Sequence, residues 1–129
     1  MTEGDIPQKV RRFLREHVNS LVQLEVLLLL QSRPENEWTV DEVNRELNFG
    51  IELVRKQLTD LHDRGLIVLV QHADDRYRYD PETTELAEAV TALAACYKER
   101  RVSITSFIYS SPLDDVRQFA DAFKIRKDE

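Results

Sequence analysis

Two pairs of positively charged residues have the types and the spacing to contact nucleic acid. Arg55 and Lys56 are adjacent near the start of a predicted helix, and both residue types pair well with the acceptor atoms of guanine. Arg76 and Arg78 alternate with two tyrosines, so a strand would carry the arginines on one face and the tyrosines on the other. We expect the tyrosines to pack inward and the arginines to face solvent.

The chain carries no motif that predicts catalysis or metal binding. Its three histidines are far apart in the sequence: His17, His62 and His72. There is no Cys-x-x-Cys, no His-Glu-x-x-His and no glycine-rich phosphate loop. Cys96 lies among apolar neighbours, which favours a small buried hydrophobe over a nucleophile, and Asp74-Asp75 is more simply a turn than a metal site. We therefore expect no enzyme activity, no catalytic residue, no cofactor and no metal.

Length and composition predict a single helix-rich domain in the cytoplasm. The 129 residues are 42% hydrophobic and include only 3 Gly and 4 Pro. No apolar run, Val26 to Leu30 included, approaches the ~20 residues that a membrane-spanning helix needs, and no apolar leader is expected at the N-terminus. The single cysteine cannot form an internal disulfide, which fits a reducing compartment. A net charge of -6 argues against a protein that coats nucleic acid by charge alone.

The elements that position the two cationic pairs can be predicted from residues 39 to 79. Thr39 followed by Glu42 is a capping box, in which two side chains satisfy free amides at a helix start, and Trp38 before it is expected to form a staple contact. A second helix has apolar residues at helical spacing: Leu53, Val54, Leu58 and Leu61. Gly65 ends it, because glycine takes the left-handed position after a helix without steric cost. A hairpin follows, with strands at 66–70 and 76–79.

This order of elements resembles the winged helix-turn-helix domain of bacterial transcription regulators, similar in layout to small MarR-like and PadR-like proteins. The resemblance covers about Ser20 to Tyr79 and rests on the caps and on the run Leu-x-x-Leu-x-x-Arg-Gly-Leu-Ile from Leu58 to Ile67. The flanking helices match no subfamily. The resemblance implies a mainly helical fold with a small hairpin, whose second motif helix enters the major groove of double-stranded DNA. It also implies DNA-contact roles for Arg55, Lys56, Arg76 and Arg78.

The charge balance of the motif keeps a second function open. Residues 34–80 carry 6 Lys+Arg against 11 Asp+Glu, whereas DNA affinity rests heavily on neutralising phosphates. The alternative is a winged-helix adaptor that binds another protein in a bacterial signalling pathway without binding DNA. One cationic face would favour DNA, and acidic residues interleaved among the cations would favour the adaptor.

The segments on either side of the motif predict a homodimer. We expect an N-terminal helical extension at 1–19, the winged domain at 20–80 and C-terminal helices at 81–129. Apolar residues recur at intervals of three and four along one long helix from about Thr84 to Ser110, with Arg100 interrupting the series. This stripe is the predicted dimer interface: Leu86, Val90, Leu93, Tyr97, Ile104 and Phe107. A last amphipathic helix is predicted around Val116 to Phe123. The core should contain Leu27, Leu28, Leu58, Leu61 and Ile67.

Overall fold

Helices make up most of the described part of the chain, and one small hairpin accompanies them. The structure is a computed structural model that describes residues 6–71 and 75–110, so the predicted helix around Val116 to Phe123 and most of the hairpin loop lie outside the described residues. Within these ranges there are six helices and one antiparallel hairpin: α1 (Gln8–His17), α2 (Leu21–Ser32), α3 (Val40–Leu47), α4 (Ile51–Asp63), β1 (Ile67–Gln71), β2 (Asp75–Tyr79), α5 (Thr84–Glu99) and α6 (Arg101–Ser110). None of the helices in these ranges is long and apolar enough to cross a bilayer.

Side-chain caps begin the helices that build the motif. The capping box predicted at Thr39 is present, with Thr39 Oγ1 accepting from the Glu42 amide at 3.1 Å and Glu42 Oε1 accepting from the Thr39 amide at 3.0 Å. Ser20 caps α2 by accepting from the Gln23 amide at 3.1 Å. The Gln23 side chain accepts from the Asn19 amide at 3.0 Å, so this second cap is also reciprocal, and its return bond reaches the residue before the cap. These caps fix where α2 and α3 start.

Apolar residues from every helix meet in one core. Leu27, Leu58 and Leu61 are fully buried and Ile67 is 2% exposed, as predicted, whereas Leu28 is half-buried at the edge of the core. Helix α2 supplies the centre, because it contacts α3, α4, α5 and β2.

The hairpin is extended by a third segment that the sequence pattern does not indicate. Strands β1 and β2 pair antiparallel, with Val68 opposite Arg78 and Leu69 opposite Tyr77. Trp38 pairs with the free edge of β2, and two backbone hydrogen bonds of 2.8 Å join it to Tyr77. Trp38 therefore anchors the wing to the start of α3, a role that the sequence pattern does not predict; the staple contact stays a prediction.

The long helix predicted from Thr84 to Ser110 is in fact two helices. Arg100 has φ −129° and ψ 50°, which ends α5, and α6 starts at the next residue. Arg101, the first residue of α6, donates to Tyr97 Oη at 3.2 Å and lies 3.5 Å from Glu25 of α2, so its charge is paired across the break. The break keeps Arg101 exposed and lets α6 pack against α1 as well as α5.

Burial of the apolar stripe corrects the predicted dimer interface. Val90, Leu93 and Ile104 are 0% exposed and Phe107 is 3% exposed within a single chain. Leu86 and Tyr97 are half-buried against the same core. The stripe joins α5 and α6 to the rest of their own chain. Val90, Leu93, Ile104 and Phe107 are buried there and have no surface to offer a partner, whereas Leu86 and Tyr97 keep part of theirs.

Candidate nucleic-acid interface

Helix α4 is held on the domain by one apolar face. Gly50, with φ 111°, forms the tight link from α3, and its amide donates to the Asn44 side chain at 2.7 Å. Val54, Leu58 and Leu61 are fully buried, as the helical spacing predicts. The opposite face of α4 is therefore fixed in orientation and open to solvent.

Arg55 and Lys56 lie on that open face. Both side chains are exposed, and neither forms an ion pair with any residue that the structure describes. They occupy the N-terminal half of α4, which is the part of a motif helix that reaches base edges. Thr59, one turn beyond Arg55, is exposed as well and adds a neutral hydrogen-bonding group to the same face.

Acidic residues lie among these cations. A groove of about 720 Å³ runs between α4 and the start of α2, where Asn19, Ser20 and Val22 form its second wall. Besides Arg55 and Lys56, the α4 wall of the groove carries the carboxylates of Glu52, Asp60 and Asp63. The face is thus of mixed charge, which is the pattern that weakens non-specific attraction to phosphate.

One of these carboxylates has a structural role. Asp60 Oδ2 accepts from Arg64 Nε at 2.8 Å and from the buried side-chain amide of Gln23. Arg64 also donates to the backbone carbonyl of Glu16 at 3.1 Å. Burial alone would raise the pKa of Asp60, but the hydrogen bonds from Arg64 and Gln23, together with the positive charges of Arg64 and Lys56, outweigh burial and hold the pKa below its ordinary value. This network ties α4 to α2 and to the end of α1.

The wing arginines lie on the face opposite Tyr77, as the period-2 pattern predicts. Tyr77 is 8% exposed, whereas Arg76 and Arg78 are half-buried and open to solvent on the other side of β2. Both arginines already have interactions within the chain: Arg78 approaches Asp80 at 3.5 Å, and Arg76 has a contact of its own. They are therefore less available than Arg55 and Lys56.

Two large apolar side chains near the start of α4 are exposed, and one of them departs from the sequence-based expectation. Leu53, assigned by its spacing to the buried face, is 38% exposed and lines the groove. Phe49, in the link between α3 and α4, is also 38% exposed. The position of Leu53 on the helix explains its exposure. Gln57 and Asp60 follow it on the same side of α4, and this side is the polar edge of the buried face.

The described residues contain no cluster of three or more histidine, cysteine or acidic side chains that would hold a metal ion. Cys96 is half-buried on α5, away from the residues that line the α4 groove. The chemistry that this surface offers is hydrogen bonding, charge pairing and apolar contact.

Comparison with known proteins supports the fold assignment. No model of a protein family matches the sequence, and no curated protein matches it. Among solved structures, a MarR family protein from Bacillus stearothermophilus is similar over 91% of this chain and 79% of its own, with a TM-score of 0.50 and 15% identity. A variant of S. aureus MepR is similar over 94% of this chain and 85% of its own, with a TM-score of 0.53 and 18% identity.

A second MepR variant was solved bound to an oligodeoxyribonucleotide. It has a TM-score of 0.53 and 20% identity, and the similarity covers 94% of this chain and 87% of that one. Sequence identities this low support a shared fold, and they do not assign roles to individual residues. Because the similarity extends over more than nine-tenths of the chain, the flanking helices belong to the same MarR-like winged-helix fold.

Proposed function

We propose that this protein is a cytoplasmic transcription regulator that binds double-stranded DNA. Helix α4 enters the major groove and hairpin β1–β2 lies along the phosphate backbone. The observation that carries the proposal is the pair Arg55 and Lys56, exposed and without ion-pair partners among the described residues, on the solvent face of a helix that an apolar face holds in position. The fold shared with a MepR variant bound to an oligodeoxyribonucleotide supports it. In this proposal residues 20–80 form the DNA-binding unit, and 1–19 with 81–129 form the assembly unit.

The proposed regulator is a homodimer built on the outer face of α6. With the predicted stripe buried inside the chain, the large apolar side chains that remain exposed at this end of the described structure are Val102 and Tyr109. They are seven residues apart, so two helical turns bring them to the same side of α6. A two-fold dimer presents two copies of α4 to two half-sites, as helix-turn-helix proteins require for specific operators.

Titration of the purified protein with DNA fragments selected from the source genome tests the function. We expect saturable binding at low salt that weakens steeply as salt rises, since phosphate contacts release counterions. Arg55→Ala should cost ~1–3 kcal/mol at one base position if the arginine makes a bidentate base contact. Replacing Arg76 and Arg78 by Ala should weaken binding to all sequences and reduce the salt slope by about one for each phosphate that is no longer neutralised.

Lys98→Ala is the matched control for these variants. It removes an exposed positive charge from α5, away from α4 and the wing, so DNA binding should remain unchanged. Binding that survives loss of all four cations would retain the function and refute the sites.

A protein-binding adaptor is the second candidate. It is favoured by the interleaving of Glu52, Asp60 and Asp63 with Arg55 and Lys56, and by the exposed Phe49 in the link just before the same helix. Absence of saturable DNA binding at low salt by a correctly folded protein would decide for the adaptor.

A further inference from the structure

Leu53 is an exposed apolar side chain on the face of α4 that the proposed function places against the polar edges of bases. It is the third residue of α4 and is 38% exposed on the wall of the groove between α4 and the start of α2. A leucine that is not needed for the core costs solubility on a free surface, since exposing apolar area to water is unfavourable. A ligand with a matching apolar group would remove that cost.

The neighbours of Leu53 place it among the residues proposed to reach base edges. Lys56 follows it by three residues, which puts the two side chains on the same side of the helix within one turn. Both line the groove together with Glu52. Because the N-terminal turns of a recognition helix approach the bases most closely, Leu53 is at the right end of α4 for base contact.

The major groove displays one apolar group among its base edges, the 5-methyl group of thymine. The other groups that the bases present there are hydrogen-bond donors and acceptors, which a leucine cannot satisfy. We propose that Leu53 contacts the 5-methyl group of a thymine and so determines the preferred base at one position of each half-site. This inference rests on the proposed DNA-binding function and names a specificity residue for it.

The contact makes a chemical distinction that hydrogen-bonding residues cannot make. Uracil presents the same hydrogen-bonding atoms as thymine and lacks only the methyl group. Replacing the contacted thymine by uracil should weaken binding about fourfold, the factor that corresponds to one buried methyl group at room temperature. Hydrogen bonds from Glu52, Arg55 or Lys56 would be the same with either base.

The experiment uses the full chain and a duplex taken from the selected fragments. Each thymine of the site is replaced in turn by deoxyuridine, and the dissociation constant is measured by fluorescence anisotropy. We expect one thymine in each half-site to show the loss with the natural protein and with Leu53→Met, which keeps an apolar side chain of similar length. With Leu53→Ala or Leu53→Gln, the thymine and uracil duplexes should bind equally. Circular dichroism confirms that each variant is folded.

The outcomes separate this inference from the function on which it rests. Absence of saturable binding to any duplex would overturn both and favour a protein partner at this surface. Tight binding that no single uracil weakens would keep the DNA-binding function and overturn the role of Leu53. A uracil penalty that persists in Leu53→Ala would assign the methyl contact to another residue, and it would also overturn the inference.

Discussion

At the scale of single residues, two tyrosine hydroxyl groups have opposite effects on the stability of this fold. Tyr97 Oη donates to Glu25 Oε2 at 2.6 Å and accepts from Arg101 Nε at 3.2 Å, which joins α2, α5 and α6 at the point where the C-terminal helices break. Tyr79 Oη is buried without a hydrogen-bond partner among the described residues, and burial raises the pKa of Tyr79 to about 12. A buried hydroxyl without a partner lowers stability, whereas one bonded to charged groups raises it.

The two tyrosines therefore give a matched test by the same chemical change. Tyr97→Phe should lower the free energy of unfolding by ~1–2 kcal/mol, because it removes hydrogen bonds to a carboxylate and a guanidinium. Tyr79→Phe should leave it unchanged or raise it by up to ~1 kcal/mol, since the hydroxyl that it removes has no partner. Urea denaturation measures both values. Equal losses in the two variants would contradict the assigned roles.

Asp60 should make stability depend on pH in the acid range. Its pKa is lower in the folded chain than the ordinary value of 3.8, so the carboxylate stabilises the fold at pH above that value. The contribution is lost as pH falls through the folded pKa, because the protonated acid no longer bonds Arg64 and Gln23 as an anion. Asp60→Asn should therefore be less stable than the natural protein at pH 7, and the difference should shrink below pH ~4.

Denaturant titrations of both proteins from pH 7 downward measure this difference. Asp63→Asn is the control, since it removes an exposed carboxylate from the same helix that pairs only weakly with His62. A difference for Asp60→Asn that stays constant down to pH ~3 would contradict the assignment.

At the scale of elements, helix α4 contains two leucines with different environments five residues apart. Leu58 is fully buried and Leu53 is 38% exposed. Leu58→Ala should cost ~2–5 kcal/mol, the usual range for truncating a leucine in a packed core. Leu53→Ala should cost less than ~1 kcal/mol, as surface substitutions do. Denaturation of the two variants measures both losses of unfolding free energy. A larger loss for Leu53→Ala than for Leu58→Ala would show that α4 faces another way.

The elements could be predicted where their signals are local. The capping box at Thr39, the glycine stop at Gly65 and the alternation along β2 each depend on residues a few positions apart, and the structure has all three. Arg100 interrupts the apolar series, but the end of a helix there could not be predicted, because it depends on α6 packing against α1, which is distant in sequence. The bridge from Trp38 to Tyr77 has no sequence signal for the same reason.

The sequence predicts the exposed cations of the candidate interface, but it does not predict the contacts of the residues around them. Arg55 and Lys56 are exposed because the helical period requires it once Val54 and Leu58 are buried. The pairing of Asp60 with Gln23 joins residues that are 37 positions apart, and periodicity carries no information about such a contact. Leu53 is exposed because the buried face of α4 covers only part of the helix circumference. A pattern of apolar residues does not show how wide that face is.

At the scale of the whole molecule, net charge limits the proposed function. The chain carries a net charge of -6, so DNA is repelled by the molecule as a whole and attracted only by its local cations. Affinity must then come from a small number of specific contacts presented twice. This gives dimerisation a functional purpose, since two half-sites read together bind far more tightly than one.

We predict that the dimer interface lies on the outer face of α6. Val102 is 77% exposed and Tyr109 is 70% exposed, and they lie on one side of the helix. Sedimentation should give a dimer for the natural protein at micromolar concentration and a monomer when Val102 and Tyr109 are both replaced by Glu, because a partner helix cannot bury two charges without partners. Phe49→Glu is the control: it adds a charge at an exposed apolar site next to α4, so the dimer should remain.

The same variants connect assembly to DNA binding. The charged α6 variant should bind a single half-site as weakly as the natural protein does, and it should lose the gain from a second half-site placed one helical turn away, about 34–36 Å. A natural protein that sediments as a monomer at high micromolar concentration would contradict the dimer. A dimer that persists in the charged variant would place the interface on another surface of the chain.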